Sequence, residues 1–321
     1  MKNSEIEQRL RQEAKALLEQ GKVDYIVGYE AGSLKFTTTP LITRNKDDVE
    51  RLIVSPFIVN NLSVYLAEIK GKVGIVAKGC DSRSIVNLMQ DNKIAREDVV
   101  IMGIPCPGLI DLKKIELLLG KDRDELDSVT RDNDRAVITI DGKEKDFPMA
   151  EVLFDNCLEC EFPVPRESDV LLGEPCALVT GEVSKKTGIK ELEAMPRRER
   201  WNYWKEEFSR CIRCYACRNV CPACFCQRCF VEESEPQWVS PTPKWQDNLM
   251  FQVTRNIHVA GRCTDCGECE RACPMNIPLR SLAKKMYDIV DELFQYKAGT
   301  DKNASPLLTA YEAIEAEDFI R

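Results

Sequence analysis

Hydrophobic and polar residues follow two rhythms along this chain. In the first half, VDYIVGYE, KVGIVAK, VVIMGI and RAVITIDGKEKDF are short runs rich in Val and Ile, which have the length and composition of β-strands. The last of them contains Asp141-Gly142, a dipeptide suited to a two-residue hairpin turn. DSRSIVNLMQDN and DLKKIELLLG fall between strands with apolar residues at helical spacing, and the charged start MKNSEIEQRLRQEAKALLEQ reads as another helix. Strands interleaved with helices predict an α/β domain with a partly parallel sheet over residues 1–182.

Beyond that point the rhythm is helical. ELEAMPRRERWNYWKEEFSR and PLRSLAKKMYDIVDELFQYKAG are helix-like, and in the second Leu279, Leu282, Met286, Ile289, Val290 and Leu293 recur at spacings that share one face. A mainly α-helical domain is expected over 183–297. An acidic tail with Asn, Ser and Pro, 298–321, is expected to be flexible or held by a partner.

Composition narrows the chemistry. A chain of 321 residues can bury a full core without disulfides. No apolar stretch at the N-terminus suits a secretory signal, and no run approaches the roughly 18 apolar residues of a membrane span. The expectation is a cytoplasmic protein. In that compartment sixteen cysteines point to metal ligation or redox chemistry rather than a disulfide scaffold. The net charge of -8, with both signs interspersed, does not suit a nucleic-acid partner. The single histidine, His258, reads as a packed or surface imidazole in preference to a general base, which leaves little support for His-based hydrolysis.

A repeat organises half of the cysteines. Cys211, Cys214, Cys217 and Cys221-Pro222 read C-x2-C-x2-C-x3-C-P, and Cys263, Cys266, Cys269 and Cys273-Pro274 repeat it. In such runs three thiolates wrap one cubane and the fourth, at the turn into Pro, ligates the other cluster. The expected ligand sets are therefore Cys211, Cys214, Cys217 and Cys273 for one 4Fe-4S cluster, and Cys263, Cys266, Cys269 and Cys221 for its neighbour. Structural zinc uses four cysteines too, but usually as paired C-x2-C arms. Arg210, Arg213, Arg218, Arg262 and Arg271 flank the ligands and are candidates for raising cluster potentials. Residues 185–297 resemble the α-helical ferredoxin domains of heterodisulfide reductase and succinate dehydrogenase iron–sulfur subunits, down to CPMNIPL after the last ligand.

Four cysteines of the α/β part invite a second question. Cys80 follows the strand KVGIVAK and Cys106 follows VVIMGI, so adjacent parallel strands would deliver both thiols to the carboxyl edge of the sheet, where such folds bind ligands. Cys157 and Cys160, in DNCLEC, supply a C-x2-C arm. The residues alone admit a third 4Fe-4S cluster, a zinc, buried thiols acting as small hydrophobes, or a Cys80 nucleophile of a cluster-linked thiol/disulfide reductase.

AKGCDSRSIVNLM, GIPCPGLID and CLECEFPVPRESDVLLGE, in that order, resemble the coenzyme F-420 hydrogenase/dehydrogenase beta-subunit family over most of residues 20–180. The resemblance implies one 4Fe-4S site on Cys80, Cys106, Cys157 and Cys160, with Asp169 and Gly173 in the trailing segment. Members that hold FAD carry a glycine-rich, threonine-containing segment leading into an early helix. This chain instead begins with a charged helix, has Gly79 where proline is common, and offers only VGYEAGS, which reads as a plain turn.

The expected function is an iron–sulfur electron-transfer subunit of an anaerobic oxidoreductase complex. Its implied partners are a dehydrogenase, a hydrogenase or a heterodisulfide-reductase-like flavoprotein. The alternative is an FAD-containing subunit acting on a deazaflavin or nicotinamide. Cys176, Cys224, Cys226 and Cys229 remain, as a fourth cluster, a zinc site or small thiols packed beside the clusters.

Overall fold

A computed structural model describes residues 3–177 and 188–309; the domain boundary expected at 182/183 lies outside the described residues. Contacts divide the chain into two units, Met1–Arg83 with Ile94–Val183 and Ser84–Lys93 with Ser184–Arg321.

The first unit opens with helix α1 (Asn3–Glu19), which buries Leu10, Ala14 and Leu17 on one stripe. Strands β1 (Tyr25–Ala31), β2 (Thr38–Thr43), β3 (Val73–Ala77) and β4 (Val99–Gly103) follow; between β3 and β4 in the chain comes helix α2 (Gly79–Gln90), which is counted with the second unit from Ser84 on. Helix α3 (Leu112–Leu119) starts at Asp111, whose side chain accepts from Lys113 N at 3.0 Å, and stops at left-handed Gly120. Strands β5 (Ser128–Asp132), β6 (Arg135–Ile140) and β7 (Lys143–Pro148) form an antiparallel sheet of their own. Short helices α4 (Met149–Val152) and α5 (Asp155–Leu158) lead to β8 (Val170–Leu171).

The main sheet has the order β2-β1-β3-β4-β8; β1 pairs antiparallel with β2, and the other pairings are parallel. Every residue of β3 is buried, as a central parallel strand covered on both faces requires. Along β6, half-buried and buried positions alternate, the mark of a sheet packed on one face only. Asp141 and Gly142, with φ 50° and 68°, make the expected hairpin turn between β6 and β7. VGYEAGS runs along β1 into a turn in which Gly32 N donates to Thr37 O at 2.9 Å, so it leads to β2 and not to a helix.

The second unit is helical: α6 (Ile189–Ala194), α7 (Arg197–Ser209), α8 (Ala216–Asn219), α9 (Trp245–His258), α10 (Glu268–Arg271) and α11 (Leu279–Phe294). The run ELEAMPRRER is two helices, because Pro196 pushes Met195 into an extended conformation, ψ 137°. Helix α11 buries Leu279, Ala283, Tyr287 and Val290, whereas Leu282, Met286, Ile289 and Leu293 are half-buried. The buried stripe thus lies partly round from the one expected. Phe208, Phe251, Ile277 and Leu279 form the core together with Cys217 and Cys273. The tail begins in place: Ala298 is buried, and Gln90 Nε2 donates to Asp301 O and Ala304 O at 2.9 and 2.7 Å. Its remainder, 310–321, is outside the described residues.

Candidate functional site

The two cysteine motifs fold as copies of one loop-and-turn. Arg213 and Tyr215, with φ 51° and 61°, have their counterparts in Asp265 and Gly267, with φ 54° and 76°. Helices α8 and α10 follow at equivalent places. Turns that alternate between right- and left-handed conformations point successive N–H groups into a concavity that attracts anions. One such group, Asp265 N, lies 3.4 Å from Cys263 Sγ. A non-glycine residue in the left-handed region costs about 1–3 kcal/mol, and such strain clusters at functional sites.

The fourth cysteine of each motif stands with the other motif's three. Cys211 has Cys214 and Cys273 as electrostatic neighbours, and Cys217 has Cys211 and Cys273. A cavity is lined by Cys211, Cys214, Cys217 and Cys273, closed by Tyr215, Phe251 and Ile277. Cys263, Cys266 and Cys269 each have Cys221 as a neighbour. Burial pushes the thiols of Cys263, Cys266 and Cys269 up to about 12. A hydrogen bond to Cys224, then burial, holds the Cys221 thiol well above its ordinary value.

Helix α9 lies beside both groups with its amphipathicity inverted. Asn248, Gln252, Arg255 and Asn256 are buried, while Met250, Val253 and Ile257 are exposed. Gln252 Nε2 lies 3.8 Å from Cys217 Sγ, and Asn248 Nδ2 donates to Phe208 O and Cys211 O at 2.9 and 2.8 Å. Arg255 Nη2 donates to Cys217 O at 2.9 Å, but its Nε and Nη1 are buried without a hydrogen-bond partner. Burial alone would lower the guanidinium pKa; the thiols of Cys221, Cys269, Cys224 and Cys217 around it raise it on balance.

The arginines that flank the motifs are engaged elsewhere. Arg210 pairs with Glu207, Arg218 with Glu232 at 2.8 Å, and Arg271 with Glu268 at 2.8 Å. Arg262 grips Asp91 through two contacts of 2.9 Å, and Arg213 donates to Thr242 O. His258 is exposed, with its ring edge-on to Phe230 at 5.4 Å.

In the first unit, the carboxyl ends of β3 and β4 are level, with Ala77 opposite Gly103, so Cys80 and Cys106 leave the sheet side by side. Cys106 has Cys157 and Cys160 as electrostatic neighbours, and burial pushes its thiol up to about 12. Lys78 is a neighbour of both Cys80 and Cys106. Leu109 N and Phe162 N lie 3.4 Å from the sulfurs of Cys157 and Cys160. The Lys78 ammonium, 1% exposed, pairs with buried Asp81 at 2.8 Å and donates to Asn60 O at 2.9 Å. Burial would lower its pKa, but Asp81 and then the Cys80 thiol raise it on balance. Asp169 accepts from Ile101 N at 2.7 Å and from Arg96 at 2.5 Å, so it anchors the trailing segment to β4.

The leftover thiols go separate ways. Cys224 lies against Cys221 and Arg255, Cys226 near Arg262, and Cys229 near Arg218. Cys176 belongs to the first unit, beside Arg131. None of the cysteines forms a disulfide among the described residues, nor do three His, Cys, Asp or Glu side chains there gather closely enough for a single metal ion.

Comparison with known families sorts this geometry. Residues 207–277 match the family described as 4Fe-4S dicluster domain, and residues 70–190 match the family of the C-terminal part of coenzyme F420 hydrogenase/dehydrogenase beta subunits. The chain carries both domains. It is 28% identical over 360 residues to the F420-dependent formate dehydrogenase subunit beta of Methanocaldococcus jannaschii, with 91% of this chain and 92% of the relative covered. It is 26% identical over 356 residues to the F420-dependent formate dehydrogenase 1 subunit beta of Methanococcus maripaludis, covering 92% and 91%. A solved structure, the xenon-derivatised F420-reducing [NiFe] hydrogenase complex from Methanosarcina barkeri, is similar at TM-score 0.39 and 15% identity, over 49% of this chain and 62% of that one. That likeness is too distant to carry an argument.

The dicluster domain contains all eight cysteines of the repeat, and the beta-subunit domain contains Cys80, Cys106, Cys157 and Cys160. Sequence reasoning missed Gln252 and Arg255 in the former and Lys78 in the latter. The polar stripe Asn248, Gln252, Arg255, Asn256 was visible at helical spacing, but such a stripe ordinarily faces water. Gly79 also gains a reason: a Cβ there would stand 1.8 Å from Phe162 O, in the segment just after Cys160. The backbone approach of that segment requires glycine.

Proposed function

We propose that this chain is an iron–sulfur electron-transfer subunit of an oxidoreductase complex, with two 4Fe-4S clusters in the dicluster domain and a third in the beta-subunit domain. Cys211, Cys214, Cys217 and Cys273 would hold one cluster, Cys263, Cys266, Cys269 and Cys221 the second, and Cys80, Cys106, Cys157 and Cys160 the third. The observation that carries the reading is the exchange of Cys221 and Cys273 between the motifs, which is how two neighbouring cubanes are ligated. The donor chemistry fits. Each group offers sulfur alone, and backbone N–H groups approach the sulfurs of Cys263, Cys273, Cys157 and Cys160 at 3.4–3.5 Å. Buried N–H groups of Gln252 and Arg255 face thiols that as thiolates would accept from them better.

Such clusters supply one-electron transfer without making or breaking substrate bonds. Each electron taken from a donor subunit is passed on to an acceptor. The chain's own residues hold the clusters, exclude water from Cys217 and Cys273, and leave Cys214 and Ile212 exposed at one edge where a partner could approach. The relatives are beta subunits of F420-dependent formate dehydrogenases, which supports a catalytic dehydrogenase as one partner. The same names favour a second reading, in which this chain holds FAD and exchanges electrons with a deazaflavin itself.

Iron and flavin counts on anaerobically purified full-length protein test both. About twelve irons without flavin is the expected result. About eight would remove the cluster of the beta-subunit domain, about one FAD would establish the second reading, and no iron would overturn the proposal.

A further inference from the structure

Among the described residues, two buried cations near the thiols have no carboxylate, Arg213 and Arg255, and of these Arg255 has sulfurs of both ligand sets as electrostatic neighbours. It is 3% exposed and forms no ion pair among the described residues. The buried Lys78 has Asp81, Arg280 holds Asp265 at 2.6 Å, and Arg271 holds Glu268. Desolvating an uncompensated guanidinium costs several kcal/mol. Such a group persists where something else supplies the negative charge. What surrounds Arg255 is sulfur: Cys217 from one ligand set, Cys221 and Cys269 from the other, and Cys224. Its single conventional acceptor is the Cys217 carbonyl, and Nε and Nη1 point at no oxygen.

We propose that Arg255 is a positioning residue shared by the two clusters of the dicluster domain, a fixed positive charge that stabilises the reduced state of both. This rests on the cluster assignment above. Each electron taken up adds one unit of negative charge, and a buried cation near both sites favours the more negative state of each, so it raises both potentials. Because the guanidinium has sulfurs of both ligand sets as electrostatic neighbours, it shifts both potentials in the same direction. Arg210, Arg218, Arg262 and Arg271 are already engaged by carboxylates, and Arg213 donates to Thr242 O beside the first motif alone.

The experiment is a potentiometric titration, followed by low-temperature electron paramagnetic resonance, of anaerobic full-length protein carrying Arg255→Met or Arg255→Lys, with iron counted in parallel. With Arg255→Met the reduced-to-oxidised ratio of both clusters at a fixed poise should fall about tenfold, which for a one-electron couple is a shift of about 59 mV. Arg255→Lys should restore most of it. If Arg255→Met fails to load iron, loading by Arg255→Lys at near wild-type potentials supports the charge role. Failure of both variants to load overturns it. So do unchanged potentials in a loaded Arg255→Met, a change confined to one cluster, or equal shifts in the two variants. Absence of iron in the wild-type protein would instead sink the cluster assignment.

Discussion

The dicluster domain and the sheet edge of the beta-subunit domain gather the same side chain by opposite means. In the first, three thiols sit within one short loop, and a turn of backbone with left-handed residues aims them inward. Only the exchanged Cys221 and Cys273 come from far away. In the second, the cysteines are separated by long stretches of chain: the parallel register of β3 and β4 brings Cys80 and Cys106 to one edge, where both neighbour Lys78, and the Cys157/Cys160 arm comes to Cys106. A local site is written in the spacing of its residues. A topological site is written in the sheet that delivers them. The charges differ too: the sheet edge balances Lys78 with Asp81, whereas the helical site leaves Arg255 to the sulfurs.

The comparison breaks most visibly under ligand deletion. Cys80→Ser should remove about four irons and leave the paramagnetic signals of the dicluster domain intact, because its ligands are separate. Cys221→Ser should do the reverse: it sits in the first motif yet should empty the site of Cys263, Cys266 and Cys269. Iron counts and spectra of the two variants check both expectations. Loss of the site of Cys211, Cys214 and Cys217 on Cys221→Ser would show that the motifs do not exchange ligands.

The next largest effect concerns the sheet edge alone. Lys78→Met leaves Asp81, fully buried, without its cation. Breaking a buried pair from one side costs about 3–5 kcal/mol. Chemical denaturation of the variant should show that loss. A double variant that also carries Asp81→Leu should recover much of it, because a well-packed apolar pair can replace a buried ion pair. An unchanged midpoint would mean that water reaches this pair.

How much of this was legible in the sequence follows the same division. The C-x2-C-x2-C-x3-C-P repeat gave the dicluster motifs by spacing, and the strands KVGIVAK and VVIMGI put Cys80 and Cys106 at one edge because parallel neighbours share an end. The split at Met195-Pro196 was readable from proline's effect on its predecessor. The buried face of α9 was not. Its residues would ordinarily be assigned to water, and carbonyls and thiols brought in from elsewhere in the chain make that face an interior one. Nor could spacing show that Gly79 is fixed by the carbonyl of Phe162, a contact made in three dimensions alone.

That contact gives a sharper, smaller test. Gly79→Ala would place a methyl 1.8 Å from Phe162 O, and backbone has to move. Overpacking of this kind costs about 1–3 kcal/mol. The shift falls on the segment just after Cys160, so thermal stability should drop and iron should be lost from the sheet edge before it is lost from the dicluster domain. Equal loss from both would argue that the glycine serves the helix and not the thiol arm.

The smallest effect is expected inside the dicluster domain, where the two motifs can be compared with each other. Gly267 has φ 76°, and Tyr215 holds the equivalent place at φ 61°. The second motif uses the residue that adopts this conformation without strain, whereas the first tolerates a ring because Tyr215 packs edge-on to Phe251 at 5.2 Å. Gly267→Ala should therefore cost about 1 kcal/mol, the penalty for a Cβ in the left-handed region, and retain its iron. Tyr215→Gly removes that penalty but also the aromatic contact, itself worth about 0.5–1.5 kcal/mol beyond its burial. It should be the more destabilising of the two, despite its easier backbone. Denaturation midpoints of both variants in one buffer decide this; if Tyr215→Gly were the more stable, the strain of the first motif would exceed what its packing returns, and the two loops would not be equivalent.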